Sequence, residues 1–228
     1  METPINEFLT NLTKSRKAIL IGGLAVIAHG LSRGTKDADI WLEPMASAED
    51  WLQAIQDAIR KYPTPLTIHC LPGWQELQGS ELVSNINDVG MIRVNGLPVP
   101  LDIFRKPNGY EISQFKSVWK NAQVHTAGVR LPRAADLIPT KESTGRERDS
   151  GDWFFLLNKS RQEQGDALAR AGSAEEASSL LADYFDYEIC KRGLKNPHPE
   201  VRNIILEELQ ILAADGDPFA KEILENIN

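Results

Sequence analysis

Residues 19–43 read ILIGGLAVIAHGLSRGTKDADIWLE, and their reading decides the fold. The apolar run from Ala18 to Ile21 predicts a short strand. Gly22 and Gly23 follow it, and a small-residue helical pattern then extends over 24–29 until Gly30 stops it. The polar loop Ser32-Arg33-Gly34-Thr35-Lys36 leads into Asp37-Ala38-Asp39, and Ile40-Trp41-Leu42 predicts a second strand. Residues two apart in a strand share a face, so Asp37 and Asp39 aim their carboxylates together. Two such carboxylates repel unless a positive group lies between them. A divalent cation with hard oxygen ligands is the usual solution, and Mg2+ (or Mn2+) keeps positions for phosphate oxygens. The glycines complement this pair. Glycine lets backbone N–H groups approach a ligand closely, and a helix N-terminus just beyond favours an anion. Together these features point to a nucleoside triphosphate with its metal.

Gly22-Gly23, the intervening helix and loop, and then Asp37-x-Asp39 resemble the signature of the DNA polymerase beta-like nucleotidyltransferase superfamily. The form Arg33-x-Thr35-x-Asp37-x-Asp39 resembles its minimal bacterial branch, the AbiEii/MenT-type toxins and related nucleotidyltransferase-like proteins. The resemblance implies an α+β nucleotidyltransferase fold, a mixed sheet with flanking helices. It also implies a third carboxylate on a later strand, for which the candidate is Asp102 in Leu101-Asp102-Ile103. An ionised carboxylate in such an apolar strand is costly unless it is paired or bound to a metal. Taken alone, Asp102 reads more readily as a strand-end residue facing water or pairing with Arg105 than as a site residue. The upstream motifs turn the balance toward the site.

The resemblance extends further along the chain. A helix bearing Lys141 and a following Arg146-x-Arg148-Asp149-x-x-Asp152 run match a second element of the family. Pro139 and the polar residues 142–145 depart from its usual continuous helix. By resemblance Lys141 would neutralise charge on the triphosphate, while Arg146 and Arg148 suit phosphate oxygens. Asp149 and Asp152 share a helical face and would orient these cations. The bland alternative for this run is a solvated helix start with surface ion pairs. Arg33, Thr35 and Lys36 are the remaining candidates for contact with nucleotide.

The rest of the chain sets the frame. At 228 residues, 42% hydrophobic and 25% charged, it has the composition of an ordinary globular protein. No run is apolar enough to span a bilayer, and residues 1–16 lack a signal-peptide core, so the expectation is a cytoplasmic protein. Cys70 and Cys190 read as reduced, partly buried thiols without metal spacing. The net charge of −7 argues against non-specific binding of duplex nucleic acid.

Helical spacing predicts helices over 5–16 and 47–61, the second capped by Ser47. Strands are expected over 66–71, 89–94 and 97–104, the last two joined in a hairpin at Asn95-Gly96. Residues 72–87 fit no single type. A short helix over 114–121 and a hairpin or last strand over 124–131 complete a core spanning 1–130. Residues 131–228 are expected to form a helical region, with one helix over 174–191 and a terminal pair over 200–214 and 218–227.

The activity the resemblance implies is metal-dependent transfer of a nucleoside monophosphate from an NTP to an acceptor hydroxyl on RNA or protein. Asp37, Asp39 and Asp102 would bind the metal, and the chain would act in a toxin–antitoxin pair with a cognate antitoxin or as a homo-oligomer. Two alternatives stand beside it. One is a nucleotide-binding module without turnover. The other is an interaction protein whose helical tail docks a partner.

Overall fold

The computed structural model describes residues 4–143, 145–146 and 149–227. Helix α1 (Pro4–Thr13) leads into β1 (Ala18–Ile21), and α2 (Gly22–Ala28) starts where β1 ends. Every residue of β1 is buried, as in a strand covered on both faces. After β2 (Ala38–Leu42) comes α3 (Ala48–Arg60). Ser47 caps α3 by accepting a hydrogen bond from the Asp50 N–H, and Trp51, Leu52, Ile55 and Ala58 form its buried stripe. Such a cap stabilises a helix by about 1 kcal/mol.

The next elements are β3 (Thr67–His69), α4 (Gly79–Val89), β4 (Met91–Asn95) and β5 (Leu101–Phe104). Helix α4 resolves the ambiguous stretch and absorbs Val89, which the alternation had placed in a strand. A 3-10 turn (Ile112–Gln114) precedes α5 (Phe115–Asn121), and β6 (Gln123–Val124) and β7 (Arg130–Leu131) form the expected hairpin. The seven strands make one sheet in the order β3-β4-β5-β2-β1-β7-β6. Pairings β1/β2, β3/β4, β4/β5 and β6/β7 are antiparallel, whereas β2/β5 and β1/β7 are parallel. The sheet is therefore mixed and carries flanking helices, the α+β class expected. Its core is built on Phe8, Leu12, Ile19, Ile40, Trp41, Trp51, Ile92 and Ile103, each fully buried.

Helices α6 (Ala134–Glu142), α7 (Ser150–Leu168), α8 (Ala174–Asp183), α9 (Tyr187–Gly193), α10 (Pro199–Ala214) and α11 (Pro218–Glu225) follow. The compact units are residues 1–156 and 157–228. The first therefore holds the sheet together with α6 and the start of α7.

The second unit has its own core, including Leu168, Leu181, Ile189, Val201, Ile205 and Leu209. A Cβ on Gly193 would lie 2.5 Å from Ile205 Cδ1 and 2.6 Å from Leu168 Cδ2, so α9 packs there at backbone distance. Buried Asn196 donates to the carbonyls of Leu168 and Ala171, while its Oδ1 accepts from the His198 N–H. The single helix expected over 174–191 is two. Tyr184 is extended, and Asp186 caps α9 by accepting from the Glu188 N–H while pairing with Arg161 at 3.0 Å. A capping aspartate competes with helix continuation, which the apolar stripe alone could not reveal.

Candidate active site

Three strands and one turn bring the acidic residues together. Gly22 adopts φ +64 where β1 passes into α2. A Cβ there would lie 2.0 Å from Asp39 Oδ2, so only glycine admits this carboxylate. Gly23 makes room differently: its Cβ would meet Arg33 Nη2 at 2.4 Å and Thr35 Oγ1 at 2.8 Å. The Gly23 N–H donates to the Asp39 carboxylate. The glycines thus seat the site's own side chains against the backbone.

Asp39 lies between Ile21 of β1 and Asp102 of β5, directly in register with both. Asp37 immediately precedes β2 and accepts a 3.2 Å hydrogen bond at Oδ1 from Thr35 Oγ1. Burial first, then the negative charges of Asp37 and Asp102, push the Asp39 carboxyl up from the ordinary 3.8 to about 7. The Lys141 ammonium and the Gly23 N–H pull in the opposite direction but do not prevail.

Sequence reasoning missed Arg93. It lies opposite Asp102 in the β4/β5 ladder. Its Nε donates to Asp102 Oδ1 at 2.6 Å and its Nη2 to Oδ2 at 2.8 Å, a two-pronged ion pair, while Nη2 also reaches Asp37 Oδ2 at 3.4 Å. The guanidinium carbon sits 3.8 Å from the centroid of the Trp74 ring. Arg105, the partner considered from sequence, instead donates from Nε to the Pro44 carbonyl. The missed signal is alternation: Ile92 and Val94 are buried, so Arg93 emerges on the face that carries Asp102.

A second cluster joins the loop before β2 to α6 and α7. Asp152 is 2% exposed and binds Arg33 Nη1 at 2.9 Å through Oδ1 and Lys141 Nζ at 2.8 Å through Oδ2. Asp149 Oδ1 lies 3.9 Å from the same ammonium. Lys141 and Asp149 are buried. These ion pairs are therefore interior, unlike the solvated helix start of the bland alternative. Helix α6 runs through Pro139, so the departure from the family pattern leaves Lys141 on a helix. Asp152 holds Arg33 and Lys141 at once, a role larger than its place in the sequence motif indicated. Lys36 and Arg146 are exposed, and Arg148 lies outside the described residues. His29 Nε2 bonds the Pro132 carbonyl.

The donors fit a hard divalent cation in chemistry. They are carboxylate oxygens in adjoining strand positions, with a mutual repulsion that such an ion would relieve. As the side chains stand, Arg93 neutralises Asp102 and Asp37. Among the described residues no three Asp, Glu, His or Cys side chains converge closely enough to hold an ion. No described helix is long and apolar enough to cross a membrane, and Cys70 and Cys190 are buried free thiols.

No family model matches the chain, and no curated protein matches it. Among solved structures it is similar to the JHP933 protein of Helicobacter pylori, with 15% identity, TM-score 0.39, and coverage of 94% of this chain and 95% of that one. It is also similar to an H. pylori protein provisionally described as a nucleotidyltransferase, with 16% identity, TM-score 0.39, and coverage of 92% and 94%.

Proposed function

We propose that this protein is a metal-dependent nucleotidyltransferase that moves a nucleoside monophosphate from an NTP to an acceptor hydroxyl. The observation that carries the reading is the placement of Asp39 in register with Asp102, against the Gly22 turn that begins α2. Few structural demands explain two acidic residues side by side on interior parallel strands, with one pushed to about pKa 7.

In the reaction the acceptor oxygen bonds to the α-phosphorus, and the bond from that phosphorus to the bridging β-phosphate oxygen breaks. Pyrophosphate leaves. Bound Mg2+ or Mn2+ would supply electrostatic stabilisation of the attacking and leaving oxygens. Asp37, Asp39 and Asp102 would hold it, and Asp102 is assigned the acceptor proton. Lys141 and Arg33, both fixed by Asp152, offer positive charge to the triphosphate. Thr35 positions Asp37. Lys36, Arg146 and Arg148 are assigned to the outer contacts with NTP or acceptor. RNA and protein hydroxyls are the acceptor classes, and a cognate antitoxin or a second copy of the chain would be the macromolecular partner in the cytoplasm.

The test incubates the protein with each α-labelled NTP and Mg2+ or Mn2+, offering total RNA and cell lysate as acceptors. Label should enter an acceptor with the wild-type protein but with neither Asp37→Ala nor Asp102→Ala. NTP binding without label transfer would replace the enzyme by a nucleotide-binding module. Absence of NTP binding would overturn the reading of the glycines and aspartates together.

A further inference from the structure

The reaction above gives no role to Arg93, a half-buried cation in the site. Its guanidinium engages both oxygens of Asp102, whose side chain is 8% exposed, and reaches Asp37. Beneath it, the Trp74 ring forms a seat. That seat is itself held in place. Cys70 and Gln75 exchange backbone hydrogen bonds of 2.8 and 2.9 Å across the turn, and His69 Nδ1 donates to the Trp74 carbonyl at 2.9 Å. Trp74 adopts φ +54, a conformation that costs energy in a bulky residue and persists only where its surroundings impose it.

We propose that Arg93 is a built-in counter-ion that competes with divalent metal for Asp102 and Asp37, so that the carboxylate cluster binds free metal weakly. The proposal rests on the metal-binding reading of these aspartates. The physical basis is direct. An arginine fork satisfies both oxygens of a carboxylate, so an incoming cation must first displace it. Apparent affinity then falls in proportion to the fraction of molecules in which the arginine has let go. Trp74 stabilises the engaged position by holding the guanidinium over its ring face.

The experiment titrates the metal-stripped full chain with Mn2+, reading free Mn2+ by electron paramagnetic resonance. The proteins are wild type, Arg93→Met, Trp74→Ala, Asp102→Asn and the Arg93→Met/Asp102→Asn double variant. Arg93→Met should bind Mn2+ at least about tenfold more tightly than wild type, through release of the competing population. Trp74→Ala, which keeps the ion pair and removes its seat, should tighten binding by about threefold. In the Asp102→Asn background the Arg93→Met gain should shrink below about threefold, because the main competition is already gone.

Equal or weaker Mn2+ binding by both Arg93→Met and Trp74→Ala would overturn the counter-ion role and leave the metal site standing. An undiminished gain in the Asp102→Asn background would also overturn it, by exposing a general charge effect. Failure of every protein to bind Mn2+ would overturn the metal reading and this proposal with it. Should Arg93→Met fail to fold, Trp74→Ala decides the matter.

Discussion

Asp39→Asn should make the metal-free protein more stable at neutral and alkaline pH, and the gain should vanish in acid. The Asp39 carboxyl is raised from 3.8 to about 7 by burial and by its neighbours Asp37 and Asp102. The folded protein therefore holds this proton more tightly than the unfolded chain. Between those values folding takes up a proton, so stability is full below about pH 4 and declines as pH rises toward 7. At 1.36 kcal/mol per unit, the shift corresponds to about 4 kcal/mol, and partial solvent access reduces it to about 2–4 kcal/mol.

Asparagine keeps the shape and an acceptor for the Gly23 N–H while removing the charge. Urea unfolding in the presence of a chelator should give a higher midpoint for Asp39→Asn at pH 8, with an unchanged m-value. The two proteins should converge near pH 4. A variant no more stable than wild type at pH 8 would refute the argument, and so would a gain of the same size at both pH values. Either result would mean that Asp39 is not an unfavourably buried charge in the metal-free protein.

Gly22→Ala forces a Cβ to within 2.0 Å of Asp39 Oδ2 at φ +64, so nucleotidyl transfer should be lost and stability should fall by about 2–4 kcal/mol in chemical denaturation. Wild-type stability in this variant would show that the turn is not needed. Asp152→Asn removes the charge that pairs Arg33 with Lys141, and the buried Lys141 ammonium beside half-buried Arg33 should then lower stability by about 3 kcal/mol. An unchanged urea midpoint would mean that the cluster is a solvated surface network.

The sequence by itself determined the local frame. The apolar run ending at Gly22-Gly23 and the Ser47 cap are written in neighbouring residues, and each produced the expected element, whereas the strand expected over 97–104 begins only at Leu101. The sequence also singled out Asp37 and Asp39 by their spacing after Gly22-Gly23, whereas Asp102 was marked by the resemblance, which implies a third carboxylate on a later strand. The break between α8 and α9 was legible only as Asp186, a residue whose capping role depends on the backbone it meets.

Tertiary structure decided which residues meet. A tight turn at Asn95-Gly96 would pair Val94 with Leu97 and bring Asp102 opposite Val89. The observed connection over 96–100 pairs Val94 with Leu101 and sets Arg93 opposite Asp102. Loop length is weakly encoded, because several lengths preserve the same alternation, yet it selects every cross-strand partner. The partnership of Asp152 with Arg33, residues far apart in the chain, likewise follows from how α7 packs beside the loop that precedes β2. Sequence pattern fixes which face a side chain takes, whereas only the assembled sheet and helices fix the charge that stands across from it.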